Sequence, residues 1–141
     1  MRKNDGFTLV ELLLVVAIII TLALIAVPNY NKSKLRSRQR EAISSVKLIA
    51  AAERIYRMET GDYHDCNCTS AATCSNGTVG CNSVLNLLLN TQNWSYNVTT
   101  AGDEGSKNAT ITAAAKSGNC TYTLNNTVFD TAEPSPGEGC I

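Results

Sequence analysis

The stretch from Phe7 to Val27 is 21 residues long and carries a single charged side chain, Glu11. A helix of ~20 apolar residues spans the ~30 Å hydrocarbon core of a bilayer. A chain this small has no core able to bury a helix that is apolar on every side, so the run is read as a transmembrane helix. An ordinary secretory signal peptide is the competing reading, with an apolar core of ~7–15 residues ahead of a small-residue cleavage site. Here the run is longer, and Pro28-Asn29-Tyr30-Asn31 follows it without an Ala-x-Ala pattern. Removal of the whole segment is therefore not expected.

Glu11 is the anomaly in this run. A carboxylate in an apolar span costs ~2.5–3.5 kcal/mol on insertion scales, so it marks a functional position by default. Two readings stand: the side chain snorkels to the headgroups, or it meets a charge supplied by another subunit.

Composition separates the front of the chain from the back. With 141 residues the chain is one domain's worth, and its formal net charge of zero gives no general pull toward nucleic acid or acidic lipid. Residues 1–60 hold ten of the twelve Lys and Arg, whereas residues 61–141 hold seven of the twelve acids. All six cysteines, Cys66, Cys68, Cys74, Cys81, Cys120 and Cys140, lie in the polar back. An even number confined to a small domain behind a membrane-targeting segment reads as a disulfide set in an oxidising compartment. Six cysteines allow fifteen pairings, and spacing alone leaves them open.

Gly6-Phe7-Thr8-Leu9-Val10-Glu11, preceded by Met1-Arg2-Lys3-Asn4-Asp5, resembles the type III leader of type IV prepilins and type II secretion pseudopilins. The likeness is specific over residues 6–30 and looser beyond. It implies cleavage between Gly6 and Phe7 by a prepilin peptidase and N-methylation of the new terminal Phe7. It also makes Glu11 the assembly residue, paired with the freed amine of a neighbouring subunit. The physics suits these roles. Gly6 has no Cβ, so a protease can seat extended backbone there. A charge pair in a low-dielectric fibre core is far stronger than in water, and removing one member of a buried pair typically costs ~3–5 kcal/mol. Thr8 could satisfy polar groups near the cut end. Counted alone, Lys32, Lys34, Arg36, Arg38 and Arg40 against Arg2 and Lys3 would place the carboxyl side in the cytoplasm. The leader and the cysteines place it outside, and that orientation is adopted.

Pro28 removes one helical hydrogen bond and crowds the preceding turn, which predicts either a kink in a continuous helix or a break. The stripe Leu35, Ala42, Val46, Ile49 and Tyr56, with Ile43 and Ala50 beside it, favours continuation. Leu48 and Ile55 lie on another face and suit contact with neighbouring subunits. A helix from about Thr8 to Glu59 would be ~78 Å long at ~1.5 Å per residue, with Gly61 as its stop. The basic run 32–40 reads as a solvated or headgroup-contacting collar. Without interleaved aromatics it lacks the stacking platform of a nucleic-acid site, although nucleic acid stays open as a partner.

Residues 60–92 read as a loop holding four cysteines, with one short helix over 83–89. Gly61-Asp62-Tyr63 is turn-like, and the family often has Gly-x-Tyr there followed by Pro, where this chain has His64. Alternation in Trp94-Ser95-Tyr96-Asn97-Val98, Thr110-Ile111-Thr112-Ala113 and Cys120-Thr121-Tyr122-Thr123-Leu124 predicts half-buried antiparallel strands. Turns are expected at 101–105 and 117–119. The expected class is α+β: a long N-terminal helix on a three- or four-stranded meander, as in the pilin fold. By that resemblance Cys120 pairs with Cys140, closing a C-terminal loop, and the other four pair among themselves.

Neither metal nor cofactor is expected. Cys66-x-Cys68 followed by Cys74 and Cys81 is not the paired C-x₂-C pattern of zinc sites, and His64 is read as an exposed turn residue. Some pseudopilins bind calcium through C-terminal carboxylates; Asp130, Glu133 and Glu138 are too sparse for 6–8 oxygen ligands. Asn-x-Ser/Thr sequons at Asn67, Asn76, Asn93, Asn97, Asn108, Asn119 and Asn125 are read as chance matches on an Asn- and Thr-rich surface. One His, no Ser-His-Asp spacing and no phosphate loop leave no case for an enzyme.

The organisation expected is a leader over 1–6, a transmembrane and assembly helix over 7–27, its amphipathic continuation over 28–59, and a disulfide-containing head over 60–141. The implied role is a filament subunit, held in the inner membrane before assembly and then placed in a cell-surface pilus or a periplasmic pseudopilus. Its partners would be further copies or other pilins, the peptidase and an inner-membrane assembly platform. A pseudopilin is the nearest alternative. An uncleaved, membrane-tethered binding module is the alternative of another class.

Overall fold

A computed structural model of the chain describes residues 7–105, 107–129, 133–137 and 139–140. Two compact units divide between Ser37 and Arg38.

The first unit is the front of helix α1, which runs as one element over Leu9–Thr60. Thr8 caps it. The Glu11 N–H donates to Thr8 Oγ1 at 3.3 Å, and the Leu12 N–H donates to the Thr8 carbonyl at 3.2 Å. Thr8 thus supplies the side-chain cap of the first turn, with an acid in that turn where the helix dipole favours it. Pro28 lies inside the helix without ending it. Around it, Asn29 Nδ2 donates to the Ile25 carbonyl at 3.4 Å, and Thr21 Oγ1 donates to that of Ile18 at 2.8 Å.

In the second unit, α1 buries Gln39, Ala42, Val46, Ile49, Ala50 and Glu53. These recur at three- and four-residue steps and so share one face. The face packs into a common core with the inward residues of the sheet: Trp94, Tyr96 and Val98, then Ala109, Ile111 and Ala113, then Tyr122 and Leu124. Gly61 ends the helix at φ +98°, a left-handed conformation that favours glycine. Its N–H donates to the Arg57 carbonyl at 2.8 Å.

Among the described residues the sheet has five antiparallel strands in chain order: β1 (Cys66–Cys68), β2 (Trp94–Ala101), β3 (Asn108–Ala115), β4 (Thr121–Asn125) and β5 (Ser135–Pro136). Its register sets Val98 opposite Ile111 and Ala113 opposite Tyr122, which keeps every large apolar side chain on one face. The α+β reading, a long helix on a small antiparallel sheet, holds. Two short strands enlarge the expected meander, since three- and two-residue strands carry too few residues to show alternation.

The segment expected as loop contains β1 and two single-turn helices, α2 (Ala71–Cys74) and α3 (Cys81–Val84). The helix expected over 83–89 is therefore displaced and shorter. Asn86 adopts φ +52°, and the Asn82 side chain accepts the Leu89 N–H at 2.9 Å, which turns the chain out of the helix. Leu85 and Leu89 are then buried, while Leu88 is 95% exposed.

Candidate assembly site

Every residue from Phe7 to Ser37 is exposed. The apolar part of α1 is long and apolar enough to cross a membrane, and Leu9 within it and Phe7 just ahead of it are more than 70% exposed. So large an apolar surface is stable only in lipid or against other protein. Glu11, four residues beyond Phe7, is also exposed and belongs to the capped first turn. Gly6, the other half of the expected cleavage site, lies outside the described residues.

The head is braced by three disulfides: Cys66–Cys81, Cys68–Cys74 and Cys120–Cys140, with Cα atoms 4.9, 4.2 and 4.7 Å apart. Cys66 and Cys68 stand two apart on β1 and so face the same side. The capping box of α2, in which Ser70 and Thr73 bond reciprocally, folds Cys74 back onto Cys68. Gly80 allows the second closure. A Cβ there would lie 2.3 Å from the Cys74 carbonyl oxygen and 2.6 Å from that of Thr73. Cys120–Cys140, the pair implied by resemblance, ties the start of β4 to the chain beyond β5.

The turn after α1 is held by three carboxylates. Asp62 accepts the Gly105 N–H at 2.6 Å and the Lys107 N–H at 3.3 Å. Those backbone donors, Gly105 first, hold its carboxyl below the usual range. Asp65 accepts the Thr100 N–H at 2.5 Å. Glu53, fully buried, accepts the His64 N–H through Oε2 at 3.1 Å, while Oε1 has no partner among the described residues. Burial pushes the Glu53 carboxyl up to about 7 against the opposing pull of that N–H. His64 is half-buried rather than exposed, its ring 5.4 Å from that of Tyr56. Arg57 lies 4.8 Å over the Tyr63 ring and donates to its hydroxyl at 3.2 Å.

Neither Glu53 nor Asp65 was singled out from sequence, and Asp62 was read only as part of the Gly61-Asp62-Tyr63 turn. The signal for Glu53 was available, since it continues the Ala42, Val46, Ile49 spacing. Of the carboxylates considered for calcium, Glu133 is ion-paired with Lys47, and Asp130 and Glu138 lie outside the described residues. In the basic run, Lys32, Lys34, Arg36 and Arg40 are exposed, whereas Arg38 is half-buried and its carbonyl accepts the Trp94 Nε1–H at 2.9 Å.

Residues 1–27 match the family model of the prokaryotic N-terminal methylation motif. That N-terminal segment is similar to those of type IV pilins and of type II secretion system core proteins. The chain is 46% identical over 63 residues to the type IV major pilin protein PilA of Myxococcus xanthus, covering 45% of this chain and 29% of that protein. Against a fimbrial protein of Pseudomonas aeruginosa the figures are 44% over 52 residues, 37% and 34%. Against the type II secretion system core protein G of Vibrio cholerae they are 35% over 63 residues, 45% and 43%. The chain thus spans less than half the length of these curated relatives, from 29% to 43%. No solved structure matches it.

Proposed function

We propose that this protein is a structural subunit of a type IV pilus-like filament. It is made as a prepilin, cut between Gly6 and Phe7, methylated at Phe7, and polymerised through the apolar half of α1. The observation that carries this reading is the methylation-motif match reaching over the apolar, exposed front of α1, whose one acid, Glu11, is in the first turn. Moving that helix from lipid to the centre of a fibre keeps its surface out of water at both stages. Glu11 then meets the freed amine of another copy, a pairing that sets register. Before assembly the subunit spans the inner membrane once with its head outside the cytoplasm, where the disulfides form. The peptidase and an assembly platform are its membrane partners. The family role is structural, and no catalytic step is assigned to the chain.

A type II secretion pseudopilin is the second reading, favoured by the likeness to core protein G. The Cys120–Cys140 closure at the end of the chain favours the pilus. Intact-mass analysis of protein sheared from its source cell, with electron microscopy of the same sample, tests the proposal. The expected species starts at N-methylated Phe7 and is found in filaments. Retention of Met1 in membrane fractions of a peptidase-bearing cell, with no filament containing the protein, would reject it in favour of a tethered module.

A further inference from the structure

Asn76-Gly77 is the only Asn-Gly pair in the chain. Both residues are exposed, in the loop between α2 and α3. The loop is ordered by its own backbone: the Gly80 N–H donates to the Asn76 carbonyl at 2.8 Å, and the Asn76 N–H donates to the Thr73 carbonyl at 3.3 Å. The Asn76 side-chain oxygen is held twice, by the Thr78 N–H at 3.0 Å and the Thr78 hydroxyl at 2.8 Å. Asn76 Nδ2 and the Gly77 N–H have no partner among the described residues. A Cβ at Gly77 would meet nothing within 4 Å.

We propose that this loop is a self-modification site at which Asn76 deamidates through a cyclic imide. The Gly77 nitrogen, after losing its proton to hydroxide or a buffer base, attacks Asn76 Cγ. As the N–Cγ bond forms, negative charge develops on Oδ1, the atom to which both Thr78 donors are directed. Donors placed where charge develops lower the barrier. Collapse breaks the Cγ–Nδ2 bond, and Nδ2 leaves as ammonia after taking up a proton. Water, the only co-reactant, then opens the imide at either carbonyl and leaves aspartate or isoaspartate at position 76. No oxidation state changes.

Three features separate this asparagine from the others. Its C-terminal neighbour has no side chain to obstruct the attack. Its amide nitrogen is unengaged among the described residues, whereas Asn93 Nδ2 donates to Glu41 at 3.2 Å. Its backbone lies outside the sheet ladder, whereas Asn67, Asn97, Asn108 and Asn125 are held in strand register. The product adds one negative charge to each copy. The isoaspartate form also lengthens the main chain beside Gly80, which is already pressed against the Cys74 carbonyl.

The test is incubation of the full chain in detergent micelles at mildly alkaline pH. It is read by peptide mass mapping with labelling by an isoaspartyl methyltransferase. Asn76 is expected to convert ahead of every other asparagine. Gly77→Ala, which the open space and ordinary φ accommodate, slows conversion roughly tenfold. Thr78→Val slows it several-fold, whereas Thr78→Ser keeps the rate. Protection of Asn76 in the folded chain, with conversion only after reduction and unfolding, would overturn the proposal. So would a Thr78→Val protein that reacts at the wild-type rate.

Discussion

Glu53 Oε2 accepts the backbone N–H of His64 at 3.1 Å, so a buried carboxyl on α1 fastens the turn that leads into β1. Its partner oxygen, Oε1, is buried with no donor among the described residues. The site therefore holds the neutral acid better than the carboxylate, which is why its pKa rises from 4.5 to about 7.

The first prediction is the pH dependence of the head. The folded state binds this proton more tightly than the unfolded chain. The stabilisation is complete below the unfolded pKa near 4.5 and is lost as pH rises through about 7. The loss is on the order of 3 kcal/mol. Thermal melts of the full chain in detergent, followed by near-ultraviolet circular dichroism of buried Trp94, should fall from pH 5 to 8 and level off above. Glu53→Gln keeps an acceptor for His64 and should flatten that fall, giving the more stable protein at pH 8. An unchanged slope in the variant would remove Glu53 as its source.

Glu11→Ala tests assembly. The substitution makes the apolar run more hydrophobic, so membrane insertion is expected at wild-type level by carbonate extraction. Sheared filaments counted by electron microscopy should be absent or sharply reduced, because in the proposed pairing the amine of the adjoining subunit loses its partner. Abundant fibres of normal appearance would refute the role given to Glu11.

Gly80→Ala probes the disulfide loop. A methyl 2.3 Å from the Cys74 carbonyl oxygen must displace backbone. The cost should be about 1–3 kcal/mol, with mispaired Cys66, Cys68, Cys74 and Cys81 in non-reducing peptide maps. The same change at Gly77, where the space is open, should leave the pairing intact.

Two isoleucines six residues apart on α1 separate the inward face from the outward one. Ile49 is fully buried, and Ile49→Ala should cost about 2–5 kcal/mol in head stability. Ile55 is 55% exposed, and Ile55→Ala should change stability by no more than about 0.5 kcal/mol. Thermal melts of both variants decide the face assignment. Any assembly defect of Ile55→Ala without a stability defect would assign it to contact between subunits.

The long helix, the three longer strands and the turn at 117–119 were legible because each carries many repeats of one period. Gly61 was legible as a stop because only its conformation suits the end of a helix. The parts that were not legible rest on single events. β1 is three residues fixed by pairing to β2 and by two disulfides, and no local pattern announces either. The helix expected over 83–89 failed because Asn86 left helical geometry, a choice made by Asn82 reaching Leu89. At the front, the acid in the apolar run could be read from composition alone. The hydroxyl of Thr8 receiving the Glu11 N–H emerged only from the backbone path.

The strands lie in the sheet in the same order as they occur along the chain. Each new strand therefore finds its hydrogen-bonding edge on the strand made just before it, and no pairing skips over another strand. A head made from its amino end can thus grow its sheet in the order of synthesis. The bond between Cys120 and Cys140 reaches from the start of β4 past β5, so it locks the two strands that join the sheet after the others.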